Sequence, residues 1–363
     1  MPVPSPGLAL RVTACVTACV TACVTACVTD FQSGTAFNRK DQTLPDLKLV
    51  VMGGPWANWL DIFEAVSPNV KAVAARGDAL LKEVVDADIV FGRLPEEAFD
   101  KAGKLKWVQS IGVGFETMLY PKMIESDVVI TNASGAFDSA MAEHALALTL
   151  SLTRGITTFE RMRKDRTWSR EVPVRQIDGA TACVLGLGTI GRNVSSRLGA
   201  LGMTVIAVDA QVKEPPAGVS EIVGPDRMLE AVGKADVLIV ALPLTDRTRG
   251  IVDSKCFKRM KASAIVINVA RGPIINESDL IAALQAGEIA GAGMDVFEKE
   301  PLPSESPLWD MDNVIYTSHV AGLSAEGDEN LKRIFSENLR RYIAGEPLMN
   351  IVDKRLGYVV QNT

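Results

Sequence analysis

Arg271, Glu300 and His319 stand at or just beyond the ends of three short apolar runs, AIVINVA, GAGMDVF and NVIYTSH. A guanidinium can hold a carboxylate and polarise a neighbouring ketone, because its fork of donors suits such oxygens. An imidazole gives or takes a proton near neutral pH. A carboxylate beside it favours the imidazolium and keeps a proton ready for a developing alkoxide. These are the groups that interconversion of a 2-oxo acid and a 2-hydroxy acid requires, if a hydride comes from elsewhere. Singly each has a plainer reading, Arg271 as a surface charge and Glu300 as a loop residue before Pro301. Their shared placement at strand ends favours the chemical one. The other histidine, His144, lies among Ala and Leu in a helical pattern, which predicts a packed or interdomain position.

The hydride source is legible in a second stretch. Gly186-Leu187-Gly188-Thr189-Ile190-Gly191 follows ATACVL and opens the helical pattern RNVSSRLGALG. In that context Gly186 permits a tight turn, Gly188 lets backbone approach a pyrophosphate, and Gly191 lets helix and strand pack closely. The helix start offers unpaired N–H groups and a positive dipole end to phosphates. Asp209 closes the next apolar run, where a carboxylate accepts from the adenosine ribose and repels a 2′-phosphate. The expected cofactor is therefore NAD, favoured over NADP, with Lys213 as the one nearby cation.

The elements that must position these groups are short β-branched runs alternating with helix-length segments. Residues 47–54, 70–75, 87–92, 105–112 and 127–132 read as five strands. A second series follows at 180–188, 203–209, 235–243, 264–270, 291–297 and 313–319. Such alternation predicts parallel, doubly wound sheets. A helical pattern covers 56–66, a longer segment over 139–164 is long enough to cross between domains, and another spans 325–344. After His319 too few residues remain for a third domain. The expectation is an α/β protein of two doubly wound, Rossmann-like domains, the substrate domain being discontinuous. Residues 1–46 are an extension, 47–138 and 320–363 a flavodoxin-like substrate-binding domain, and 139–319 the NAD-binding domain.

Composition sets limits on partners. Lys+Arg 38 against Asp+Glu 44 gives a net charge of −6, with no basic patch, which argues against nucleic acid and anionic membranes. Cys183 and Cys256 read as ordinary thiols, and with no CxxC pair and two histidines no metal site is expected. The other four cysteines belong to a VTAC repeat over 12–29, read as a functionless extension. Organelle targeting is the alternative, since the first 29 residues hold Arg11 and no acid.

Four motifs together, GLGTIG, NVARGPIINESDL, GAGMDVFEKEPLP and PLWDMDNVIYTSHVAG, resemble the D-isomer-specific 2-hydroxyacid dehydrogenases, over roughly residues 47–350. The resemblance implies Arg271 as the binder of substrate carboxylate and carbonyl, His319 as acid and base, and Glu300 as its partner. It implies Asp295 as an acid near the nicotinamide, and Leu242, Pro243, Val269 and Ala270 as cofactor-contacting backbone beside Thr189 and Ile190. The SIGVGFE segment is similar to a loop whose N–H groups, around Val113 and Gly114, meet the substrate carboxylate. A cytoplasmic homodimer joined through the NAD-binding domains is expected, acting as a glyoxylate/hydroxypyruvate reductase or resembling a phosphoglycerate dehydrogenase. The departures are Ser318, where the family has proline, the extension, and the absence of a C-terminal regulatory domain. Glu300 stands where the family's formate enzymes are expected to carry Gln. An NAD(H)-sensing, corepressor-like binding protein on the same fold is the alternative, because such proteins keep the same three residues.

Overall fold

The computed structural model describes residues 46–359. The VTAC repeat and the expectations attached to it lie outside them. The first sheet holds β1 (Leu47–Met52), β2 (Val70–Ala75), β3 (Ile89–Phe91), β4 (Trp107–Gln109) and β5 (Val129–Thr131) in the order β2-β1-β3-β4-β5. The second holds β6 (Thr181–Leu185), β7 (Thr204–Val208), β8 (Glu221–Val223), β9 (Val237–Val240), β10 (Ile265–Asn268), β11 (Gly291–Met294) and β12 (Val314–Tyr316). Its order is β12-β11-β10-β9-β6-β7-β8. Every pairing in both sheets is parallel. This is the doubly wound α/β architecture that the alternation predicts. A short antiparallel pair, β13 (Val352–Asp353) with β14 (Tyr358–Val359), closes the described chain.

Both sheets are apolar on both faces because both are covered. Cys183 and Leu185 point into the layer on one face of the second sheet, and Ala182 and Val184 into the layer on the other. The helix Asp138–Thr153 covers the latter face through Ala142, Ala145 and Leu148. The helix Ala325–Ala344 buries Leu331, Ile334, Phe335 and Leu339 against Leu49, Phe63, Phe91 and Trp107 on one side of the first sheet. Ser324 starts it by accepting from Gly327 N–H, and Gly345 at φ 68° ends it.

Three local expectations need correction. The segment 139–164 is two helices, Asp138–Thr153 and Ile156–Lys164, divided at Gly155 with φ 64°. A left-handed glycine of that kind stops the first helix. The helical pattern at 56–66 splits into a 3₁₀ turn, Pro55–Trp59, and one α turn, Leu60–Glu64. Edge strand β8 escaped notice because three residues carry too little periodicity to register.

Burial pushes the Cys183 thiol up to about 12 and the Cys256 thiol up to about 11. Almost no thiolate forms at neutral pH in either case. Iodoacetamide at neutral pH should therefore leave the peptides carrying Cys183 and Cys256 unmodified in the folded protein. Alkylation of either within minutes would contradict this.

Candidate active site

Chain order reverses at β6, which lies between β9 and β7. That leaves a crevice outside the carboxyl ends of β6 and β9, where α/β proteins take ligands. Gly186 turns there with φ 94°, and a Cβ on it would meet Ala241 O at 2.7 Å. A Cβ on Gly191 would overlap Gly186 O, so the helix Thr189–Ala200 packs directly on the turn. A Cβ on Gly188 meets nothing within 4 Å, so that backbone faces open space. This cradle fits a dinucleotide pyrophosphate. Thr189 Oγ1 donates to Asp138 Oδ1 at 3.1 Å, and Ile190 packs against the core.

Asp209 follows β7 and braces the turn. Its Oδ2 accepts from Leu187 N–H at 2.7 Å, and its Oδ1 from Gln211 and Val212 N–H at 2.7 and 2.9 Å. Leu242 and Pro243 follow β9, with Pro243 O accepting from the Thr248 hydroxyl at 2.6 Å. Val269 and Ala270 are buried beyond β10.

β10, β11 and β12 are parallel neighbours, so the loops carrying Arg271, Glu300 and His319 leave one rim. Buried Asn268 shapes the turn before Arg271, accepting from Ala270 N–H at 3.0 Å and donating to Arg271 O at 3.1 Å. The guanidinium then reaches the loop after β4. Its Nε donates to Glu116 Oε1 at 2.8 Å and its Nη1 to Ala270 O at 2.6 Å. A side chain on Gly114 would overlap Nη2, so this loop must carry glycine to let the arginine lie against its backbone. Val113 O in the same loop accepts from Asn132 Nδ2 at 2.9 Å.

His319 Nδ1 lies 2.7 Å from Glu300 Oε2, and Glu300 Oε1 accepts from Phe297 N–H at 3.0 Å. With Glu300 as a carboxylate, Nδ1 is the donor and Nε2 is left to face outward. The backbone of His319 has φ 55°, unusual for a residue with a side chain. Asp295, 1% exposed, holds that loop in place. Its Oδ1 accepts from the Thr317 hydroxyl at 2.6 Å and Val320 N–H at 2.9 Å, its Oδ2 from Ala321 N–H at 3.0 Å. Thr317 gives its one proton to Asp295, so it accepts from His144 Nε2 at 2.8 Å. His144 thus links the helix Asp138–Thr153 to the His319 loop, and the expected packed position acquires a polar contact.

The match to the model for "D-isomer specific 2-hydroxyacid dehydrogenase, NAD binding domain" covers residues 146–321. A solved D-isomer specific 2-hydroxyacid dehydrogenase from Xanthobacter autotrophicus, in complex with NADPH and MES, is 32% identical with a TM-score of 0.75. The likeness covers 85% of this chain and 99% of that one. The chain belongs to the D-isomer-specific 2-hydroxyacid dehydrogenase family. Among curated members it is 34% identical to a D-3-phosphoglycerate dehydrogenase of Archaeoglobus fulgidus, over 76% of this chain. It spans about half of that relative, 53% of its length. It is 29% identical to a glyoxylate reductase of Thermofilum pendens, over 77% of this chain and 85% of that one.

Three residues in this family member were missed from sequence: Glu116, Asn268 and Thr317. Glu116 is the acid of SIGVGFE and Asn268 the only polar residue in AIVINVA before Arg271, so each stood in a stretch already singled out. Thr317 also stood in such a stretch, NVIYTSH, but its contact with His144 is remote in the chain.

Proposed function

We propose that the protein binds NAD(H) and interconverts a small 2-oxo acid with its D-2-hydroxy acid. The observation that carries this is the 2.7 Å contact of His319 with Glu300, on the rim that also bears Arg271. Bound nicotinamide supplies the hydride for reduction and accepts it in oxidation. Arg271 holds the substrate carboxylate and draws charge toward the carbonyl oxygen, with the N–H groups of Val113 and Gly114 opposite it. His319 Nε2 gives its proton to that oxygen as charge develops, and takes it back in oxidation. Glu300 keeps Nδ1 in its donor role, which aims Nε2 at the substrate. Residues 47–138 and 320–363 would form the substrate-binding domain and 139–319 the NAD-binding domain.

The N–H groups of Gly186, Gly188, Thr189, Ile190 and Gly191 would hold the pyrophosphate, and Asp209 the ribose. Leu242, Pro243, Val269 and Ala270 would line the remainder of the cofactor. Asp295 belongs to the same set as the acid near the nicotinamide, and its contacts to Thr317, Val320 and Ala321 support the further task of fixing His319. Purified protein incubated with NADH and glyoxylate, hydroxypyruvate, phosphohydroxypyruvate or a longer 2-oxo acid tests the proposal. Turnover of at least one is expected, and oxidation of none would overturn it. Relatives named dehydrogenase and reductase lend the corepressor-like alternative no support.

Asp209 makes NAD the expected partner. Its contacts use three of about four acceptor positions on the carboxylate, which leaves room for a ribose hydroxyl and none for a phosphate. Asp209→Ser with Ala210→Arg should shift the kcat/KM ratio toward NADPH by about tenfold or more. An unmodified protein that already prefers NADPH would cancel the assignment. A homodimer through the NAD-binding domains is in keeping with exposed Ile156, Phe159, Trp168 and Val174 on that domain's surface. Among the described residues no helix is long and apolar enough to cross a membrane, and a cytoplasmic location is proposed.

A further inference from the structure

We propose that Glu116 is a positioning residue: it holds Arg271 by the Nε edge and so leaves the Nη edge for the substrate carboxylate. The inference rests on the function proposed above and adds a residue to its site. Glu116 belongs to the loop after β4 and Arg271 to the turn after β10, so their 2.8 Å contact joins two loops from different sheets. An arginine side chain alone samples many rotamers, and a receptor for a carboxylate works only when its fork points one way. Two bonds at two different nitrogens, Nε to Glu116 and Nη1 to Ala270 O, fix both the position and the plane of the guanidinium. The second hydrogen of Nη1 and both hydrogens of Nη2 remain. Nη2 lies against Gly114, the position whose N–H is proposed to face the same ligand.

Two other roles for Glu116 fit the geometry less well. A brace for the fold would be buried, whereas these side chains are 23% and 32% exposed, a setting in which an ion pair adds little stability. A competitor that substrate must displace would cover the paired Nη edge. Glu116 instead meets Nε through one oxygen.

Glu116→Ala and Glu116→Gln separate these roles. Glutamine keeps an oxygen that accepts from Nε, and alanine does not. The measurements are kcat and KM with NADH and a 2-oxo acid, the Kd of oxalate for the NADH complex read by NADH fluorescence, the Kd of NADH, and Tm. Glu116→Ala is expected to lose about 10- to 100-fold in kcat/KM and to bind oxalate more weakly, with NADH binding and Tm nearly unchanged. Glu116→Gln should stay within about threefold of the parent in both. Tighter oxalate binding by Glu116→Ala would identify a competitor and overturn the inference. Equal losses in both variants, parent-like behaviour of Glu116→Ala, or a shared fall in Tm and NADH affinity would also overturn it. A parent that turns over no 2-oxo acid refutes the proposed function, and the oxalate titration still reads the Glu116 contact separately.

Discussion

Arg271→Ala is expected to lower kcat/KM for the preferred 2-oxo acid by about 100-fold or more, about 2.7 kcal/mol of transition-state stabilisation. Charge-assisted, forked contacts to an anion taken out of water are among the strongest a side chain makes. The loss should exceed a simple binding defect, because the carbonyl oxygen gains charge beside the same guanidinium as the hydride arrives. Arg271→Lys should recover little, since an ammonium cannot reach Glu116 and Ala270 O while keeping a paired edge free. The Kd for NADH should hardly change, because the seat proposed for the pyrophosphate is made of backbone N–H groups of the glycine turn. Stability should shift by no more than about 1 kcal/mol, as both members of the broken ion pair are part-exposed. Steady-state kinetics beside an NADH titration and a melting curve check all three. Parallel loss of cofactor binding and turnover would show that Arg271 serves the fold.

Much of the fold could be read from local pattern alone. The eleven expected strands all form, and the terminal helix spans Ala325–Ala344, the residues its periodicity marks. Parallel strands covered on both faces write themselves as continuous apolar runs, the strongest short signal a sequence offers. Strand ends were overestimated where a loop begins with apolar residues. The run 180–188 stops at Leu185 because Gly186 adopts a positive φ. The break at Gly155 was hidden for the opposite reason, since one glycine in a helical pattern is compatible with continuation. Motif and strand-end position pointed to Arg271, Glu300 and His319. The contacts that hold them were not legible, because each spans a long chain separation. Glu116 meets Arg271 from another sheet, His144 meets Thr317 from another helix, and Asp295 gathers a loop more than twenty residues later. Contacts of that kind depend on tertiary structure and leave no periodicity to read.

The proposed chemistry stands or falls on proton transfer by His319. In reduction His319 must carry a proton to give, and in oxidation it must be free to take one. His319→Gln should therefore lose about 10²–10⁴-fold in both directions, the usual contribution of general acid–base catalysis. Glu300 Oε2 lies 2.7 Å from Nδ1, and this contact orients the ring. A direct test is the pair of initial rates, reduction and oxidation, for the parent and for His319→Gln, with an NADH titration as control. Both rates should fall by that factor in His319→Gln, with NADH binding unchanged. Near-parent turnover by His319→Gln in either direction, or a parallel loss of NADH binding, would contradict the account.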